Sequence, residues 1–401
     1  MRLKIWYDAG LVAVVALVSG CGGETLEPLP SKFQVVVAGG VHSCGLLTDG
    51  AAYCWGNNEL GQLGDGSTGS HVYPTPVVGS IRYTAISGGG GHTCAVATTG
   101  AAYCWGLNLS GQLGDGTQRD RSTPVSVTGG KSWIALSAGG THSCGIATDG
   151  LAYCWGWNAS GQLGDGTTTD RPAPAPVSGG LRFSAISANV RHTCALMASG
   201  AAYCWGSNEH GQLGTGDTLS SNTPVRVSGS LTWVALETGY SHSCGIAADG
   251  TGYCWGRNQY GQLGAGDSAG LATRTTPFPM SGGILWQSFD LGAYFSCGLG
   301  VGSAAWCWGY NGSGQLGGNA PDTCADETGI TSTQCALSPF AVTGGLEFAS
   351  VSAHTQHTCG LSVDGVAYCW GSGTSGQLGN GQKGDQIFSI EPVRVAGQPG
   401  T

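Results

Sequence analysis

Short alternations of apolar and polar residues run along the chain from about residue 33, each cut off by glycine, proline or an Asp-Gly pair before a stripe of helical period can develop. The clearest are led by an aromatic residue: Tyr83-Thr84-Ala85-Ile86, Trp133-Ile134-Ala135-Leu136, Phe183-Ser184-Ala185-Ile186 and Trp233-Val234-Ala235-Leu236. Such runs are strands. Each is preceded by a proline-led run, at Pro76, Pro124, Pro176, Pro224, Pro277, Pro339 and Pro392, and followed by two β-compatible arms split by a turn, Asp-Gly at Asp49-Gly50, Asp149-Gly150, Asp249-Gly250 and Asp364-Gly365. A Pro-led strand, an aromatic-led strand and a hairpin make a four-stranded blade, and the pattern predicts an all-β chain.

The units repeat. A Cys-Trp-Gly triplet begins at Cys54, Cys104, Cys154, Cys204, Cys254, Cys307 and Cys369, with another cysteine ten residues earlier at Cys44, Cys94, Cys144, Cys194, Cys244, Cys297 and Cys359, and Gly-Gln-Leu-Gly follows each triplet. Seven blades predict a β-propeller. A three-residue turn with Gly50 left-handed sets residues whose numbers sum to 98 opposite each other, so Cys44 faces Cys54, Gly45 faces Tyr53 and Ser43 faces Trp55. Opposed cysteines can bridge. Cys324 and Cys335 form an eighth candidate pair in the longest insertion, and Cys21 is left over from the 17 cysteines. Zinc is the rival, but cysteines ten apart lack the ligand spacing of structural zinc sites. The first unit has no Pro-led strand before it and the seventh Pro-led strand, beginning at Pro392, has no hairpin after it. The expected closure is therefore a pairing of N- and C-terminal strands that completes blade one.

Glycine supplies 74 of 401 residues, against a usual share of about 7 per cent, and charged residues only 10%, against about 25 per cent, which leaves little for solvated helix faces. The net charge of -9 and the lack of any Lys/Arg cluster exclude a nucleic-acid partner. Residues 1–20 carry Arg2, Lys4 and an apolar stretch too short to span a bilayer, and read as a signal peptide. Val18-Ser19-Gly20-Cys21 looks like a bacterial lipobox, with Cys21 as the lipid attachment site, residues 21–32 as a flexible tether and residues 33–401 as the propeller. The leftover cysteine favours this over an ordinary signal peptide with Cys21 incidental. The expected location is the bacterial cell envelope, at the outer membrane or cell surface, with membrane contact through the lipid alone.

Gly-x-x-His-Ser/Thr, a glycine turn, Trp-Gly-x-Asn-x-x-Gly-Gln-Leu-Gly and a Pro-x-x-Val run together resemble the regulator of chromosome condensation (RCC1-type) repeat family over about residues 33–396. The resemblance implies a seven-bladed propeller whose end surfaces hold protein partners. Family members include a guanine-nucleotide exchange factor, a plant ultraviolet receptor and a secreted β-lactamase inhibitor. The tryptophan cluster of the receptor has no counterpart at Val41, Thr141, Val190, Tyr240 or Thr355.

Candidate chemistry dissolves on inspection. His42, His92, His142, His192, His242 and His357 share one slot, with Phe295 in unit six. One imidazole per blade around a wide ring cannot converge within about 2.1 Å of an ion, so a buried hydrogen-bonding role is expected. Each Ser or Thr next to these histidines points to the opposite strand face, which gives no triad. Asp65, Asp115 and Asp165 read as turn residues, and the recurrent asparagines from Asn58 onward as partners of loop backbone. No catalytic residue, metal or cofactor is expected. Loop positions that differ between units include Trp157, Arg191, Tyr240, Arg257, Tyr260, Tyr294 and Tyr310, residue types that anchor interfaces. They are the candidate partner-binding residues, with the insertion at 318–339 as a second surface. The expected function is that of a monomeric, non-catalytic scaffold holding a protein partner; a glycan-binding module or an enzyme inhibitor is the alternative.

Overall fold

A computed structural model describes residues 26–266, 273–325 and 332–399; Cys21 and the signal peptide expected over residues 1–20 lie outside them. Seven antiparallel sheets stand around a common axis. In blade one the strands Phe33–Ala38, His42–Leu47, Ala52–Gly56 and His71–Pro76 pair in that order. The first strands of successive blades contact one another around the whole ring and line a central channel. Blade six has a fifth strand, because the insertion supplies Asp322–Ala325, which pairs with Ser332–Ala341.

The hairpin register is the expected one: Cys44 lies opposite Cys54, Gly45 opposite Tyr53 and Ser43 opposite Trp55. Gly50 has φ +81°, the left-handed conformation that the three-residue turn requires. Eight disulfides form, Cys44–Cys54, Cys94–Cys104, Cys144–Cys154, Cys194–Cys204, Cys244–Cys254, Cys297–Cys307, Cys324–Cys335 and Cys359–Cys369. Eight bridges point to an oxidising, extracytoplasmic compartment.

Closure differs from expectation. The C-terminal strand Phe388–Arg394 pairs with Ala367–Ser372 of its own blade, and blade one takes His71–Pro76 as its outer strand. The Gly-Gln-Leu-Gly loop returns the chain along the hairpin it has just left, so each Pro-containing strand completes the blade before it. Its prolines then lie on the outer edge, where a missing N–H removes no ladder bond and blunts further pairing. Of the flexible tether expected over residues 21–32, the described part from residue 26 is held by contacts. Leu29 is buried and its N–H donates to the Gly397 carbonyl at 2.8 Å, while Lys32 Nζ donates to the Asp364 carbonyl at 2.9 Å, docking this segment on blade seven.

What closes the ring is one junction, repeated. The Ser/Thr after each recurrent histidine, or after Phe295, donates its hydroxyl to the Gln carbonyl of the preceding blade's Gly-Gln-Leu-Gly loop, as Thr193 does to Gln162 at 2.9 Å and Ser43 to Gln377 at 2.8 Å. In most junctions the same carbonyl accepts the core indole N–H, for example from Trp205 at 2.9 Å and Trp55 at 3.0 Å. The second glycine of the motif lies flat on that indole: a Cβ on Gly164, φ +68°, would sit 2.7 Å from Trp205 Nε1. These tryptophans are fully buried and pack on the aromatic residue leading the first strand, Trp133 on Trp155 with ring centroids 5.5 Å apart.

The histidines complete the junction. His142 Nε2 lies 2.9 Å from Thr193 Oγ1, and His357 Nε2 lies 2.8 Å from Ser43 Oγ. Because the hydroxyl proton is committed to the Gln carbonyl, the imidazole must donate, which fixes the Nε2–H tautomer. Nδ1 is buried without a partner, so a second ring proton would be orphaned there. Burial accordingly pushes the six imidazoles His42, His92, His142, His192, His242 and His357 down to about 3. At the junction of blades six and seven Phe295 replaces the imidazole, and Thr358 donates to the Gln315 carbonyl at 3.0 Å without it.

This contrast supplies an internal control. Thr193→Val strands the buried His142 N–H and should cost about 2 kcal/mol in denaturant unfolding, whereas Thr358→Val strands nothing, since Gln315 keeps the Trp370 indole at 3.0 Å, and should cost less than about 1. Equal losses would remove the imidazole from the junction's account.

The imidazoles also set the acid limb of stability. Their folded values lie below the ordinary 6.5, so their contribution is complete above that pH and is lost as pH falls from 6.5 towards 3 while the unfolded chain takes up protons. The melting temperature should fall steeply over this window, and replacing His142 with Phe, the residue of unit six, should make the fall shallower.

Candidate functional site

One end of the propeller is built from two loops per blade. The turn between first and second strands carries residues equivalent to Val41, and the exit from the third strand carries those equivalent to Asn57; a backbone bond ties them, from Asn57 N–H to Val41 O at 2.9 Å and from Tyr310 N–H to Tyr294 O at 2.9 Å. A third position comes from the preceding blade, as Leu60 lies against the Gly91 and Leu107 positions of blade two. Every blade junction therefore presents three residue positions on this end, and the repeat leaves their identity open.

At the junction of blades five and six all three are tyrosines. Tyr260 lies edge-on to Tyr294 and Tyr310, with ring centroids 5.6 and 5.1 Å away, Tyr240 stacks obliquely on Tyr294 at 5.8 Å, and the Arg257 guanidinium lies 5.6 Å from the Tyr294 centroid. The Cys324–Cys335 bridge and Leu337 pack against Tyr260, Tyr294 and Tyr310, so the insertion joins the same surface. Tyr260 is only 8% exposed and forms the floor of this cluster, while Tyr240, Arg257, Tyr294 and Tyr310 are half-buried above it. The structure thus unites five of the seven residues singled out by their variability. Trp157 and Arg191 occupy the corresponding positions of blades three and four: Trp157 N–H bonds Thr141 O and Ser207 N–H bonds Arg191 O, both at 2.9 Å.

Towards the axis the cluster borders an apolar cavity of about 290 Å³ whose wall includes Gly90, Gly140, Val190, Tyr240, Tyr294 and Thr355. Below it runs the central channel. The residue opposite the first cysteine of each hairpin lines this channel: Val37, Ser87, Ser137, Ser187 and Ser352, but Glu237 and Asp290 in blades five and six. Burial and repulsion from Asp290 push Glu237 up to about 8; burial pushes Asp290 up to about 7 against hydrogen bonds from Ser352 and from the Ala353 and Leu291 N–H groups. Sequence reading missed the cavity and both carboxylates. The available signal was a single charge where neighbouring units carry serine.

The remaining polar candidates are engaged in loop structure. Asn58 Oδ1 accepts from Leu63 N–H at 3.0 Å and its amide donates to Asp65, the equivalent of the Asp115 that pairs with Arg121 at 3.0 Å and the Asp165 that pairs with Arg171 at 2.7 Å. Hydrogen bonds hold these three carboxyls below the ordinary range although burial opposes them. Among the described residues no three His, Cys, Asp or Glu side chains converge as a metal site would require.

The same architecture occurs in solved structures. Prp20p of Saccharomyces cerevisiae superposes with a TM-score of 0.76 at 21% identity, covering 92% of this chain and 87% of that one. Human WBSCR16 gives 0.73 at 20%, with 84% and 88% covered, and the ectodomain of the Arabidopsis thaliana receptor kinase ACR4 gives 0.54 at 20%, with 86% and 96% covered. Two models of the regulator of chromosome condensation (RCC1) repeat match the chain itself. One matches residues 49–96, 99–146, 149–196, 199–246, 249–299 and 364–401, the other 34–62, 83–112, 133–162, 183–212, 233–262 and 348–377. Residues 300–347, with the insertion, fall outside both. The latches, the register and the matched repeats agree, and the chain belongs to the regulator of chromosome condensation repeat family.

Proposed function

We propose that this protein is a lipid-anchored scaffold of the bacterial cell envelope that holds a protein partner on the aromatic end of its propeller and catalyses nothing. The observation that carries the reading is the convergence of Tyr240, Arg257, Tyr294 and Tyr310 beside an apolar cavity, on the end where the repeat imposes no identity. Recurrent polar residues are consumed between blades, whereas these half-buried Tyr and Arg side chains have the size and limited freedom of interface anchors. Prp20p, whose structure was described with its binding to Gsp1p and histones, is an example of this fold serving as a binding platform. The disulfides favour a different compartment for the present chain, and the lipobox ending in Cys21 supplies an anchor.

The test is crosslinking in intact cells followed by mass spectrometry. Tyr294→Ala and Arg257→Ala should weaken capture of the crosslinked partner, by about 2 kcal/mol for an anchor, with little change in melting temperature. Tyr260→Ala should lower the melting temperature instead, since that ring is floor. Glycan-array binding that the same variants abolish, with no crosslinked protein, would establish the glycan-binding alternative.

Cys21→Ser should move the protein from the membrane pellet to the soluble fraction, because a diacyl anchor plus an N-terminal acyl chain supplies the several chains stable attachment needs. Retention in the pellet at the original level would remove the anchor.

A further inference from the structure

We propose that the mouth of the axial channel is a receptor for one basic side chain, lysine or arginine, presented by the polypeptide that docks on the aromatic end: the stem lies in the Tyr240 and Tyr294 collar and the cationic head beside Glu237 and Asp290. This deepens the scaffold reading and rests on it.

The geometry has two zones in line. The outer zone is the apolar cavity of about 290 Å³, and the inner zone is the channel, about 170 Å³, lined by hydroxyls and the two carboxylates. Asn189 and His354 line both, so the cavities meet at that level. An amphipathic side chain with an apolar stem and a charged tip matches this succession. A bare metal ion would gain nothing from the collar, and an anion would meet the carboxylates.

The inner zone lacks its positive charge. Glu237 and Asp290 are half-buried on the channel wall, and carboxylates drawn out of bulk water favour a cationic partner. Among the described residues no Lys or Arg pairs with Glu237 or Asp290, whose partners are Ser187 for the first and Ser352 with the Ala353 and Leu291 N–H groups for the second. His354, the other titratable group at this level, does not supply charge at neutral pH, since burial pushes it down to about 4. Burial disfavours the ionised forms of both acids, and a cation delivered from outside restores them and completes the pair.

The mouth is also preformed. Four of its turns are stitched to the next by backbone bonds, from Gly40 N–H to Gly89 O at 2.9 Å, Gly90 N–H to Gly139 O at 3.0 Å, Gly140 N–H to Asn189 O at 3.2 Å and Ala293 N–H to His354 O at 3.2 Å. The Asn189 amide adds a bond to the Thr238 carbonyl at 2.8 Å. A rigid opening spares the ordering cost of binding, and the net charge of -9 steers a basic partner towards the molecule.

The experiment titrates the mature lipid-free propeller with blocked pentapeptides, acetyl-Gly-Gly-X-Gly-Gly-amide with X lysine, arginine, norleucine or glutamate, followed by NMR. The lysine or arginine peptide should bind about tenfold or more tighter than norleucine, and glutamate should not bind. Glu237→Gln combined with Asp290→Asn should erase that preference without lowering the melting temperature, because it removes two desolvated acids; Tyr240→Ala should weaken the norleucine and lysine peptides alike. Equal binding of lysine and norleucine, a preference that survives the double variant, absence of binding by every peptide, or occupation of the pair by sodium or calcium that the lysine peptide cannot displace would each overturn the proposal. Partner capture lost in Tyr294→Ala yet intact in the double variant would overturn it too, while leaving the scaffold reading in place.

Discussion

The structure depends on a carbonyl oxygen with two lone pairs. In each Gly-Gln-Leu-Gly loop the Gln carbonyl faces the next blade and accepts the proton of a Ser/Thr hydroxyl, joined in most junctions by a Trp indole N–H. Several requirements follow from that one contact. The flanking glycine must leave its Cβ position to the indole, the hydroxyl must point its proton at the carbonyl, and the histidine of the preceding blade must keep the Nε2–H tautomer. Motif residues that look independent along the sequence are thus one junction seen from two blades.

That dependence separates what recurs from what varies. A residue locked into a junction cannot change without unpairing a buried group, and a loop residue on the open end can. Blade six departs on both counts: it replaces the imidazole with Phe295, carries the disulfide-closed insertion, and contributes Tyr294 and Tyr310 to the aromatic cluster. Blades five and six replace the serine of the channel slot with Glu237 and Asp290. The departures from the repeat lie around one sector, which is what a ring specialised at one place along its circumference looks like.

Much of this was legible in the sequence, because it is local. The turn glycine fixes the register by counting, so the bridges and the pairing of Tyr53 with Gly45 follow from spacing alone. Blade boundaries do not. A cyclic succession of four strands can be cut at any point with the same period, and only the long-range pairing of Tyr53 with Pro76 decides that the Pro-containing strand ends a blade instead of beginning one. This is why strand exchange between the termini was expected and is absent. The aromatic residues were visible as variable loop positions, but their adjacency comes from blades five and six meeting, and Glu237 looks like an exposed strand position until the ring encloses the channel.

Without strand exchange, the last junction closes by the same means as the others, with Ser43 and Trp55 on the Gln377 carbonyl and His357 on Ser43. All eight disulfides lie within blades, so the covalent bonds stiffen hairpins and the insertion but tie no blade to its neighbour. The coherence of the ring rests on hydrogen bonds between blades and on the apolar packing of each blade against the next. Among the described residues two junctions lack one member, that between blades one and two, where the Trp105 indole N–H has no partner, and that between blades six and seven, where no imidazole bonds the Thr358 hydroxyl. The aromatic cluster borders the second of these, and its packing against the insertion adds apolar burial on blade six, which contributes Phe295 in place of an imidazole.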